Sequence, residues 1–145
     1  MKTIGIANDH AGYALKLKIV DYLQRKGYAV KNFGADTSNP VDYPDYVHPL
    51  ANAVEQGECE LGISICGSGN GTNMTVNKHA GIRGALCWHP EISRLSRAHN
   101  NANICSLPAR FITEETAYCI MDEFLNTQFD GGRHQKRVDS IAITN

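Results

Sequence analysis

Several things are missing from this chain of 145 residues, and each absence narrows what it can be. There is no apolar run long enough to cross a bilayer, and Met1-Lys-Thr-Ile-Gly-Ile enters a strand pattern at once, so neither a membrane span nor a leader is expected. Neither sign of charge dominates: 14 Lys and Arg stand against 15 Asp and Glu. No nucleic-acid or membrane partner is therefore expected, and any anion site has to be local. The five cysteines (Cys59, Cys66, Cys87, Cys105 and Cys119) are odd in number and include no C-x-x-C pair. This argues against a disulfide framework, a zinc knuckle or a thioredoxin-type centre and suits a reducing cytoplasm. The six histidines show no H-x-x-x-H spacing, so no metal is expected, and His48 and His79 have no reading beyond surface or helix positions. Internal repeats, low-complexity tracts and linkers are also missing. The length suits one domain, 1–145.

What is present is organised around Leu61-Gly-Ile-Ser-Ile-Cys-Gly-Ser-Gly-Asn-Gly-Thr72. Leu61 to Ile65 reads as a buried central strand, and Gly67, Gly69 and Gly71 then form a turn into a helix. Glycines there let backbone N–H groups approach a ligand closely and converge on one point, a ready anion site. Cys66 stands at that point. It is either a small buried hydrophobe or a thiolate acid/base beside an oxyanion site.

Strand patterns over Thr3–Asn8, Tyr28–Phe33, Leu61–Ile65, Ile82–Cys87 and Ala102–Leu107 alternate with helical ones. The first helix runs to about Lys26, placing Leu15, Ile19, Tyr22 and Leu23 on one face and Lys16, Lys18 and Arg25 elsewhere. Pro44 opens the second helix and Pro90 a short one ending near His99. Thr113 caps another, and Gly131-Gly132 breaks the chain before a basic tail. The alternation predicts a single-domain, three-layer α/β/α Rossmann-like fold with a five-stranded parallel sheet and helices on both faces. Ligands of such sheets bind beyond the carboxyl ends of the strands, where Asp9, His10, Cys66, Ser68 and His89 should lie.

Each candidate has a plainer reading beside the functional one. Asp9 is a helix cap or a hydroxyl acceptor, and His10 a surface residue or a donor to an anion. Tyr43 is turn padding or a cover for a ligand. His99 is a C-cap or an acid/base imidazole, before the polar run Asn100-Asn-Ala-Asn103. Arg133 and Arg137, four apart, either form a solvated tail or share a helix face that grips one phosphate.

Taken together, Asn8-Asp-His-Ala-Gly-Tyr-Ala-Leu-Lys16, Asp42-Tyr-Pro-Asp45, Cys66-Gly-Ser-Gly-Asn-Gly71, Asn77-Lys78, Gly81-Ile-Arg83, Ser96-Arg-Ala-His-Asn-Asn-Ala-Asn103 and Gly131-Gly-Arg-His-Gln-Lys-Arg-Val-Asp139 resemble the type B ribose-5-phosphate isomerases. These belong to a wider sugar-phosphate isomerase family that includes galactose-6-phosphate isomerase subunits. The resemblance runs from about residue 3 to about 141. It implies interconversion of ribose 5-phosphate and ribulose 5-phosphate through an enediolate, with no metal or organic cofactor. In that scheme Cys66 is the base, Ser68 helps move hydroxyl protons, and His99 opens the furanose ring. The Gly67, Gly69, Asn70 and Gly71 backbone supplies donors. Asp9, His10, Tyr43 and Asn100 meet the sugar, while Arg110, Arg133 and Arg137 hold the phosphate. It further implies a homodimer, or a larger oligomer, with sites shared between subunits. Retention of Cys66 sets the chain apart from the galactose-6-phosphate subunits. Asn70 and Thr72-Asn73-Met74 are more polar than the residues often found after the turn.

Three other readings remain open at this stage. One is isomerisation of a hexose 6-phosphate such as allose 6-phosphate. Another is a phosphate- or nucleotide-binding module, although Thr72 stands where G-x-G-x-x-G needs its third glycine. The last is a redox sensor at Cys66.

Overall fold

The computed structural model describes residues 1–143. Its first strand, β1 (Thr3–Asn8), alternates large and small side chains. Successive strand residues point to opposite faces, so Ile4 and Ile6 enter one core while Gly5 and Ala7 turn to the other. The central strand β3 (Leu61–Cys66) repeats the pattern with Gly62. The small residues let a helix approach: a Cβ on Gly5 would lie 2.6 Å from Leu50 Cδ1, and one on Gly62 would lie 3.1 Å from Val54 Cγ2. Leu50 and Val54 belong to α2 (Pro44–Glu55), which covers this face together with α3 (Asn70–Val76).

The opposite face is closed by α1 (Tyr13–Arg25) and α5 (Glu114–Asn126), whose Ile19, Leu23, Ala117, Ile120 and Phe124 pack on Ile4, Ile6, Ile63, Ile65 and Leu107. α4 (Pro90–Ala98) packs on α5, where Ser93 Oγ donates to the Ile120 carbonyl at 2.8 Å. Thr113 caps α5 as expected, its hydroxyl accepting from the Thr116 amide. Burying these apolar side chains is the main drive for the layered arrangement, each contributing about 1.5–3 kcal/mol.

All strands are parallel, in the order β2 (Ala29–Asn32), β1, β3, β5 (Ile104–Pro108), β4 (Gly84–Leu86). The expected fold class is therefore the observed one. The edge strands are shorter than the apolar pattern suggests, because each has only one neighbour to pair with: Tyr28–Phe33 yields Ala29–Asn32 and Ile82–Cys87 yields Gly84–Leu86. The first helix opens as a 3₁₀ turn over His10–Gly12. The basic tail is a helix, α6 (Arg133–Asp139), entered through Gly131 and Gly132 at positive φ.

Lys16 corrects the sequence reading. Placed there on the polar side of α1, it is 1 % exposed. Its ammonium donates to the Ala35 carbonyl at 2.8 Å and pairs with Asp36, tying the loop after β2 to α1. A buried ammonium needs such partners, and the loop supplies them. The hydrogen bonds from Lys16 and then Asn32 hold the Asp36 carboxyl below its ordinary range.

Candidate active site

From β1 the chain steps outward to β2, then returns to β3 on the other side of β1. The carboxyl ends of β1 and β3 thus flank the point where strand order reverses, the usual crevice of an open parallel sheet. The two ends are joined there by the Asp9 amide, which donates to the Ile65 carbonyl at 3.0 Å. A cavity of about 390 Å³ opens above them, lined by Asp9, Tyr43, Cys66, Gly67, Ser68, Gly71, Arg110 and Phe111.

Cys66 ends β3 and is 5 % exposed, the exposed part facing this cavity. Its sulfur accepts from the Gly69 amide at 3.1 Å and lies 3.6 Å from the Thr72 hydroxyl. None of the other free cysteines lines this cavity. Burial pushes the thiols of Cys59 and Cys105 upward, Cys87 is buried, and Cys119 is exposed on α5.

The turn after Cys66 is shaped by what lies against it. Gly69 has φ of 75°, a left-handed conformation that costs a side chain little only when there is none. Its amide is thereby aimed back at the sulfur. The Asn70 amide donates to Ser68 Oγ at 3.2 Å, and the Asn70 side chain is exposed. The amides of Ser68 and Gly71, both lining the cavity, have no acceptor among the described residues and are open to a ligand. Tyr43 covers Gly71 on one side, and Arg110 covers Gly67 on the other, where a Cβ would sit 3.0 Å from its Nη1. Arg110 is itself tied to the turn, its amide donating to the Gly67 carbonyl at 3.0 Å.

The plainer reading of Asp9, a helix cap, is the one the structure shows. Its carboxylate accepts from the Gly12 amide at 2.9 Å, capping the 3₁₀ turn, and it also lines the cavity. His10 is half-buried, with Nδ1 accepting from the Val41 amide at 3.2 Å, and it does not line the cavity. His89 caps α4 by accepting from the Glu91 amide and belongs to that helix end.

The remaining candidates lie elsewhere on the chain. His99 is the C-cap of α4, and its ring stacks on His134 at 4.4 Å between centroids and 12° between planes. Asp130 approaches the His99 Nε2 to 4.0 Å. Desolvation, followed by the charges of His99, Arg133 and Arg137, lowers the His134 pKa below its ordinary value. His99, Asp130 and His134 hold ligand atoms within 4.8 Å of one another, a grouping that no local spacing reveals. Nearly parallel rings direct their in-plane lone pairs side by side rather than at one point, so this arrangement does not favour a metal. Asn100 lines a separate cavity with Asn77, Lys78 and Arg83. Arg133 and Arg137 are exposed and face an open recess with Lys136 and Ser140.

Within one chain, then, Asp9, Tyr43, Ser68, Arg110 and the glycine turn meet Cys66, whereas His99, Asn100, Arg133 and Arg137 do not line its cavity. The sequence reading missed Phe111 in the cavity wall and the His134 and Asp130 partners of His99. Only His134 carried a signal, sitting between the two arginines. It also missed a chain in which His79 bonds both Glu55, at 3.0 Å, and His48, at 2.7 Å.

The ribose/galactose isomerase family model matches residues 4–141. Ribose-5-phosphate isomerase B of Escherichia coli is 43 % identical over 142 residues, covering 98 % of this chain and 95 % of that protein. The solved ribose-5-phosphate isomerase B of Clostridium thermocellum superposes with a TM-score of 0.95 at 46 % identity, over 96 % of this chain and 94 % of that one. The Mycoplasma genitalium enzyme, solved with bound ribulose 5-phosphate, gives 0.92 at 40 % identity, over 96 % and 93 % of the two chains.

Proposed function

Because this chain belongs to the ribose/galactose isomerase family, we propose that it interconverts ribose 5-phosphate and ribulose 5-phosphate, with Cys66 as the base. The observation that carries this reading is the Cys66 sulfur, open to a cavity at the sheet's reversal point and surrounded by hydrogen-bonding groups. Isomerisation moves one carbon-bound proton and leaves a negative charge on the adjoining oxygen. The sulfur takes the proton from carbon. The electron pair of that C–H bond passes into the enediolate. The unpaired amides of Ser68 and Gly71, both at the cavity, are donors already in place for the developing oxyanion, which is why they stabilise it more than mobile water does. Ser68 Oγ lies at the cavity to pass a proton between the two sugar oxygens. Asp9 and Tyr43 accept from and cover the sugar, with Gly67 beneath it and Arg110 toward the phosphate. Gly69 serves the sulfur, Asn70 begins α3, and the His10 ring is held by the Val41 amide.

The ring-opening acid His99, the sugar contact Asn100 and the phosphate-holding Arg133 and Arg137 reach this cavity from a second copy of the chain. The support is their position: within one chain they lie apart from Cys66, on surfaces that a partner can bring to it. The working form is accordingly a homodimer. We assign its setting to the cytoplasm, where five unpaired cysteines are stable.

Mixing two inactive variants tests both parts. Cys66→Ala and His99→Ala protomers, combined and allowed to exchange, form heterodimers in which one site is intact if sites are shared. Recovery of up to about a quarter of wild-type turnover is expected for random pairing of equal amounts. No recovery, with exchange confirmed by mass, overturns the shared site. Turnover of allose 6-phosphate at least as efficient as that of ribose 5-phosphate would move the substrate assignment to hexose phosphates.

A further inference from the structure

The Thr72 hydroxyl stands between two acceptors. It lies 3.3 Å from the Gly69 carbonyl oxygen and 3.6 Å from Cys66 Sγ, the latter within reach because sulfur is the larger atom. Thr72 is fully buried, so water does not compete for the hydroxyl. A hydroxyl carries one proton and serves one acceptor at a time. Which one it serves depends on the sulfur. A neutral thiol is a weak acceptor and loses to a carbonyl, whereas a thiolate is charged and draws the stronger hydrogen bond.

We propose that Thr72 is a positioning residue for the isomerase reaction, its hydroxyl proton turning from the Gly69 carbonyl to Cys66 when the sulfur is ionised and back when the sulfur is protonated. This rests on the reading of Cys66 as base. No bond to Thr72 forms or breaks. As the substrate C–H bond breaks, its electron pair stays on the sugar and its proton forms the S–H bond, and Thr72 changes only its hydrogen bond. When the proton returns to the neighbouring carbon, the sequence reverses.

Gly69 is what makes the arrangement two-positioned. Its amide is a fixed donor to the sulfur at 3.1 Å, and its carbonyl is the alternative acceptor for Thr72. One residue at left-handed φ thus presents a permanent partner for the thiolate and a resting place for the movable one. The β-branched side chain of Thr72 has few rotamers, and burial holds its oxygen between the two positions. The alternative is a role in the helix alone, in which the hydroxyl only back-bonds the first turn of α3.

The first readout is chemical and independent of turnover. Iodoacetamide is reacted at pH 7 with the full-length protein, and labelling of Cys66 itself is followed by peptide mass spectrometry, so the other four cysteines do not interfere. In Thr72→Val, which keeps shape and loses the hydroxyl, the labelling rate of Cys66 should fall about tenfold, since a hydrogen bond to a charged group contributes about that factor. kcat should fall by a similar factor with KM little changed, and its pH profile should move to the alkaline side. Thr72→Ser should restore rate and profile. Wild-type labelling of Cys66 in a folded Thr72→Val overturns the proposal, as does Thr72→Ser behaving like Thr72→Val. Should the valine variant not fold, Thr72→Ala against Thr72→Ser gives the same comparison. If Cys66 is not the base, Cys66→Ala stays active while the labelling result stands, so the two failures are distinguishable.

Discussion

The Tyr43 ring lies directly on the backbone of Gly71: a Cβ there would come within 2.5 Å of Tyr43 Cζ and 2.6 Å of its hydroxyl oxygen. The tyrosine comes from the start of α2 and the glycine from the start of α3, so this contact fixes the lateral wall of the cavity. The obstructing atoms are the far end of a side chain, which can swing away. Gly71→Ala should therefore lose at least about tenfold in kcat/KM, because small displacements of positioning groups are costly. Its melting temperature should stay within a few degrees of wild type. A wild-type kcat/KM would remove Tyr43 from the site.

Gly69→Ala should behave differently. Its Cβ would meet Leu86 Cδ1 at 2.5 Å and the Leu107 backbone at 3.2 Å, and its φ of 75° is strained for any side chain. Destabilisation of about 1–3 kcal/mol is expected, visible in denaturant unfolding, together with loss of turnover as the amide leaves the sulfur. An unfolding midpoint equal to that of Gly71→Ala would contradict this distinction.

Cys66→Ala should remove the base and reduce kcat by roughly 10²–10⁴, with folding intact because the side chain is small and borders a cavity. Circular dichroism paired with a direct assay of ribulose 5-phosphate formation checks it. Retention of full turnover would end the mechanism described above.

Arg137→Ala should raise KM by about tenfold or more while changing kcat less, since a phosphate contact remote from the reacting carbon is felt mainly as binding. Because Arg137 is exposed in a single chain, its loss should leave stability nearly unchanged. A fall in kcat alone would place the arginine at the chemistry instead.

The Asp36 carboxyl gives a pH dependence with a definite sign. Its folded value is depressed, first by the hydrogen bond from Lys16. The contribution is therefore present above the unfolded carboxylate value, about 3.9, and is lost as pH falls through the lower folded value. The Asp36 side chain is largely exposed, so solvent screens the pair and the effect is modest. Thermal melts from pH 7 down to pH 3 should show Asp36→Asn less stable at neutrality, with the gap to wild type narrowing below about pH 4. A constant gap across that range would indicate a packing effect rather than titration.

The alternation of apolar strands with amphipathic helices was enough to place five parallel strands between two helical layers, because side-chain periodicity directly reports which faces are buried. The glycine turn and Cys66 were legible for a similar reason. Closely spaced glycines after a buried strand have few structural uses, and the topology carries strand ends to one edge. Gly5 and Gly62, by contrast, gave no sign in the sequence that α2 would lie against them. Lys16 looked like a surface residue until the loop after β2 folded back to meet it, since a charge is buried only where distant partners satisfy it. Thr72 was visible as an unusually polar residue, but its place between a sulfur and a carbonyl depends on the φ of Gly69. The grouping of His99 with Asp130 and His134, separated by more than thirty residues, likewise came only from packing α4 against the segment before α6. Local pattern determined which elements form and which faces they bury. The distances that decide chemistry arise between residues far apart in the chain, and only the folded backbone sets them.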